Sequence, residues 1–82
     1  MKAEHLDRYR QIGLKIAYYR KYAGITQEEL AERVGCSAAY IGHLEAPNIN
    51  KALSLDMLFD IAAVLKIPAY RLLLFEEDMR EL

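Results

Sequence analysis

Apolar residues return every three or four positions through most of this chain, and no stretch keeps the alternation of a half-buried strand. The pattern predicts helix throughout. Ile12, Ile16, Tyr19 and Ala23 share one face of a first helix from about His5 to Ala23, with Arg8, Lys15 and Lys21 off that face. Gly24 stops it. Thr26 and Glu29 form a capping box at the start of a second helix, about 27–34, whose apolar stripe is Leu30, Ala31 and Val34. Gly35 breaks that helix. Ser37 caps a third, about 38–45, carried by Ile41 and Leu44.

The stretch Ala46 to Lys51 reads as a loop, since proline and two asparagines disfavour continuation. Ser54 caps a fourth helix with Leu55, Leu58, Ile61, Ala62 and Leu65 as its stripe. Pro68 suits the opening of a fifth, about 69–80. That helix carries Leu72, Leu73, Leu74 and Phe75 in succession. Four consecutive large apolar residues cover more than one helical face, so some are expected to meet another protein surface. The second and third helices are too short to persist alone and must be clamped by the others around one core.

Composition narrows the class. At 82 residues the chain suits one domain, and a hydrophobic share of 54% supplies a core without disulfides. One cysteine, no signal-like segment and no apolar run near membrane-spanning length point to a cytoplasmic protein with no membrane association. The net charge of −1 is unevenly spread. Residues 1–24 hold six lysines and arginines against two carboxylates, residues 25–75 four against six, and residues 76–82 one against four. Such asymmetry allows one face to meet phosphates while another faces solvent or a partner.

The elements Ile12-Gly13, Ile16, Tyr19-Arg20, Gly24 through Ala31, Val34-Gly35, Tyr40-Ile41, Leu44-Glu45 and Ser54-Leu55 to Leu65 occur together in order. In that set the chain resembles the Cro/C1-type helix-turn-helix repressors, the XRE family, over about residues 12–73. The resemblance implies an all-α, five-helix, lambda-repressor-like DNA-binding domain spanning 1–82. Its second and third helices would form the helix-turn-helix, and 74–82 a C-terminal helix extension.

The family reads bases at positions that here are Ser37, Ala38, Ala39 and His43. Two of these are alanine, which offers a base only methyl contact, so part of the selectivity is expected from DNA shape and dimer spacing. Phosphate contacts are expected at Gln27, Asn48, Asn50 and Lys51, with Tyr40 as an alternative through its hydroxyl. Lys51 is the only charged member of that group, which predicts a shallow salt dependence. Arg20 and Glu45 are expected to form a structural ion pair holding the third helix.

The implied function is sequence-specific binding of a double-stranded operator by a homodimeric transcriptional regulator, most simply a repressor. Its dimer contact would be an apolar patch of Leu74, Phe75, Met79 and Leu82. The alternative is a partner-binding helix-turn-helix module, such as an antitoxin or co-regulator, with weak or no DNA binding. No phosphate loop, His–Glu metal motif or nucleophile beside a base is present, so no enzyme, cofactor, metal or small-molecule ligand is expected. Cys36 reads as a small buried residue of the turn. The six tyrosines read as packing residues rather than a stacking platform, and the acidic tail as a solvated helix end.

Overall fold

Glycine and hydroxyl side chains set the helix boundaries. The computed structural model of the protein describes residues 1–80. Helix α1, Leu6–Ala23, follows a 3-10 turn at Ala3–His5 and ends at Gly24, whose φ of 75° lies in the left-handed region open to glycine. Helix α2, Gln27–Val34, begins with a complete capping box: Thr26 Oγ1 accepts from the Glu29 N–H, and Glu29 Oε1 accepts from the Thr26 N–H, each at 3.0 Å. Such a cap contributes about 1 kcal/mol. Helix α3, Ala38–Glu45, and helix α4, Leu55–Leu65, start on Ser37 and Ser54, each accepting an N–H three residues on at 3.1 Å.

These four helices and the segment that follows α4 enclose one core, in which Ile16, Leu30, Ile41, Leu58, Ile61 and Leu72 are fully buried. The crossing of α1 over α3 sets the depth of the cluster. A Cβ at Gly13 would lie 1.8 Å from the Leu44 carbonyl oxygen, so only glycine lets the two backbones touch there. Among the described residues there is no strand, and no helix is long and apolar enough to cross a membrane.

The C-terminal segment corrects the expectation of one helix over 69–80. Residues Ala69–Leu73 form a 3-10 turn, Leu74 and Phe75 are extended, and helix α5 is only Glu76–Met79. The cause is packing. The extended backbone at Leu74 and Phe75 brings the Phe75 ring back under Arg8 and Lys15 of α1, and Leu72 and Phe75 are both buried, at 0% and 7% exposure. Phe75 is therefore core and no part of an exposed dimer patch. Leu74 and Met79 remain exposed, and Leu82 lies outside the described residues.

The kinked segment is strapped across α1. Arg8 grips Asp78 with two 2.9 Å bonds, Gln11 donates to Glu77 at 3.0 Å, and the Arg8 guanidinium sits 4.9 Å from the Phe75 ring centroid. Arg8 holds the Asp78 carboxyl below the ordinary aspartate range, and Gln11 holds Glu77 below that of glutamate. A depressed folded-state pKa stabilises above the unfolded value and is lost as pH falls through the folded one. The strap is thus expected to stay closed at neutral pH and to open progressively below about pH 4. Hydrogen exchange should show the Asp78 and Met79 amides losing protection there ahead of α1, and Asp78→Asn should remove that step.

Candidate nucleic-acid interface

Helix α3 presents three kinds of side. Its inner side is Ile41, Leu44 and Glu45, all buried. Its flanks are half-buried: Ala38 packs on the core, Tyr40 leans on the following loop, and Gly42 faces Gln27. The outer side is Ala39 and His43, four residues apart and so one above the other, led by the exposed cap Ser37. Of the four expected base-reading residues, Ser37, Ala39 and His43 form an exposed ridge. Ala38 is instead turned partly inward, because it follows the cap directly and sits nearly in line with Glu45 around the helix.

The turn before α3 is tight. Gly35 takes φ 79°, and the Gly35 and Cys36 N–H groups both donate to the Ala31 carbonyl, at 2.9 and 3.0 Å. Cys36 is half-buried against the core, and burial pushes its thiol above the ordinary value, which disfavours the reactive thiolate.

Behind the ridge lies a polar lock joining three helices. Arg20 donates from Nε to Glu45 Oε2 at 2.7 Å, from Nη2 to Glu45 Oε1 at 2.9 Å, and from Nη1 to the Ile25 carbonyl at 2.8 Å. Gln27 Nε2 adds a 3.0 Å bond to Glu45 Oε1. Arg20 and Glu45 are each 8% exposed, and Glu45 holds the Arg20 guanidinium above its ordinary value. The arrangement satisfies both buried charges while fixing the roll of α3 against α1 and α2. Gln27 belongs to this lock, so one of its amide hydrogens is already spent. Its backbone N–H, at the free first turn of α2, is what it can best offer an anion.

Tyr40, expected as an alternative phosphate contact, also has a partner within the fold. Its hydroxyl donates to the Ala52 carbonyl at 3.0 Å and so pins the loop after α3. Lys51 lies over the same ring, its Nζ 5.6 Å from the centroid, so Tyr40 fixes where that ammonium stands. Asn48, Asn50 and Lys51 are all exposed on this loop beside α3. Sequence reasoning missed two supporting roles, Gly13 at the α1–α3 crossing and Tyr40 as the strut of the loop.

A family profile described as helix-turn-helix matches residues 16–72. The HTH-type transcriptional regulator SinR of Bacillus subtilis is 36% identical over 62 residues, covering 76% of this chain and 55% of its own length. The Bacillus licheniformis protein of the same name matches to the same extent. The chain thus spans about half the length of the curated relatives it matches. Among solved structures, the N-terminal DNA binding domain of SinR from Bacillus subtilis superposes with a TM-score of 0.72 at 33% identity, covering 82% of this chain and 96% of that one. A hypothetical transcription factor from Neisseria, NHTF, superposes with a TM-score of 0.75 at 25% identity over 99% of this chain and 88% of its own. By sequence and by fold, the chain belongs to the Cro/C1-type (XRE) helix-turn-helix family.

Proposed function

We propose that this protein is a sequence-specific, double-stranded DNA-binding transcriptional regulator of the cytoplasm, acting as a homodimeric repressor that lays α3 in the major groove. The observation that carries the reading is the exposed ridge of Ser37, Ala39 and His43 on a helix held from behind by Leu44, Ile41 and the Arg20–Glu45 lock. Small side chains on that ridge let the helix approach base edges closely. His43 supplies a hydrogen-bonding group, Ser37 a hydroxyl, and Ala39 a methyl suited to thymine. The α2 N-terminus and Lys51 flank the ridge as phosphate anchors. Relatives named as transcriptional regulators, and a solved relative named as a DNA binding domain, support the same reading.

Two copies would place their α3 helices about one turn of DNA apart, roughly 34 Å. The exposed Leu74 and Met79 are the apolar residues offered for the dimer contact. On duplexes selected from a random pool, Ala39→Glu is expected to lower affinity by at least about a hundredfold, since it brings a carboxylate against bases and phosphates. Lys51→Ala should reduce the log–log salt slope by about 0.9 per half-site with little change in sequence preference. Undiminished binding by Ala39→Glu in a gel-shift titration sinks the placement of α3.

A second reading, a partner-binding module with weak DNA affinity, is favoured by the alanines in α3 and by a relative solved as a SinR protein/SinI protein complex, 34% identical with a TM-score of 0.69. Absence of any selectable duplex at low salt would favour it.

A further inference from the structure

Nine residues after Gly13, or two and a half helical turns, Tyr22 stands on the opposite side of α1 from α3. It opens a groove of about 580 Å³ between α1 and the segment that follows α4, lined by Tyr18, Tyr19, Tyr22, Lys66 and Arg71 over an apolar floor of Leu65 and Ile67. Tyr18 and Tyr22 are 62% and 84% exposed, which is unusual for aromatic rings of a core-forming helix. They are not random in direction. Tyr18 packs edge-on against Tyr19 with centroids 5.0 Å apart, and lies nearly parallel to Tyr22 at 6.4 Å, so the three rings form one wall.

The charges of the groove are one-sided. Lys66 and Arg71 have no carboxylate within ion-pair distance among the described residues, Arg71 lies 6.0 Å from the Tyr70 ring centroid, and no carboxylate lines the groove. Lys66 is also the one non-glycine residue at positive φ among those described, with φ 58° at the C-cap of α4. Glycine or asparagine occupies such a cap without that penalty. A lysine there accepts backbone strain and in return places a cation at the groove.

We infer that this aromatic, cationic groove docks an acidic segment of a partner protein through a bulky apolar anchor seated against Tyr18 and Tyr22, with its carboxylates on Lys66 and Arg71. The chain's own acidic run does not fill that role, because Glu77 and Asp78 are already held by Gln11 and Arg8. Since the groove lies on the far side of α1 from α3, partner and DNA can bind together, and the inference stands apart from the DNA-binding reading.

The test uses a short helix-forming peptide of glutamates with phenylalanine at every fourth position, followed by calorimetry and by tyrosine fluorescence, which no tryptophan obscures. Micromolar binding is expected, weakened at least about tenfold by Arg71→Glu and by Tyr22→Ala but not by Lys2→Glu on the exposed N-terminus. Lys66→Gly should weaken binding without lowering the melting temperature, which separates the groove charge from fold damage. Duplex affinity, measured on the same variants, should not change. Equal binding of a lysine-for-glutamate peptide, insensitivity to Arg71→Glu, or preference for oligothymidylate would overturn the inference. So would self-association that Tyr22→Ala abolishes, since a second copy would then be the occupant.

Discussion

Gly13→Ala is expected to lower the melting temperature by roughly 15 °C, corresponding to about 3 kcal/mol for a domain of this size. The added methyl would stand 1.8 Å from the Leu44 carbonyl oxygen and 2.9 Å from its carbon, and both atoms are backbone. No side chain can rotate away to relieve that overlap. The α1–α3 crossing must widen, which opens the packing around Ile16, Ile41 and Leu44. The sign of the effect is the informative part. In the middle of an unobstructed helix the same substitution stabilises by about 1 kcal/mol, because alanine favours helix over glycine. Thermal unfolding followed by circular dichroism distinguishes the two outcomes, and a stabilised variant would mean that the helices do not touch at Gly13.

The second large effect belongs to the lock behind α3. Removing one partner, as in Arg20→Ala or Glu45→Ala, leaves the other charge buried and uncompensated, and such losses run to about 3–5 kcal/mol. Arg20→Ala also frees the Ile25 carbonyl, and Glu45→Ala strands the Gln27 amide. The double replacement Arg20→Met with Glu45→Leu should recover most of the loss, because a buried ion pair is often replaceable by apolar groups of similar volume. Denaturant midpoints for the four members of this double-mutant cycle would measure the coupling. If each single variant lost less than about 1 kcal/mol, the pair would behave as a surface bridge. The double variant is nevertheless expected to bind DNA less well than its stability suggests, since nothing polar would then fix the roll of α3.

Local chemistry made much of this architecture legible. Thr26 and Glu29 announce the start of α2 because the capping box needs only residues three apart, and Gly24 and Gly35 mark stops because positive φ is a property of the residue itself. The ridge on α3 was readable from the apolar period of Ile41 and Leu44. What escaped were features decided by distant neighbours. The run Leu72–Phe75 looks like one helix with excess apolar surface, whereas its break at Leu74 and Phe75 depends on how the segment returns across α1. Phe75 thereby changes from an expected dimer contact into a core residue under Arg8 and Lys15. Tyr40 is expected from the sequence as an alternative phosphate contact, but its tie to Ala52 depends on how the loop returns. Gly13 was visible as a glycine inside a helical pattern. Its reason is a backbone 31 positions further along.

The Ser37–His43 ridge is expected to meet bases from the major groove. Methylation interference on a duplex selected from a random pool tests it most directly, because methyl groups at guanine N7 project into that groove and those at adenine N3 into the other. Guanine N7 methylation is expected to block binding at two clusters about one helical turn apart, and Ala39→Glu to abolish the selected complex. Interference confined to adenine N3, or a complex indifferent to substitution at Ala39 and His43, would contradict it.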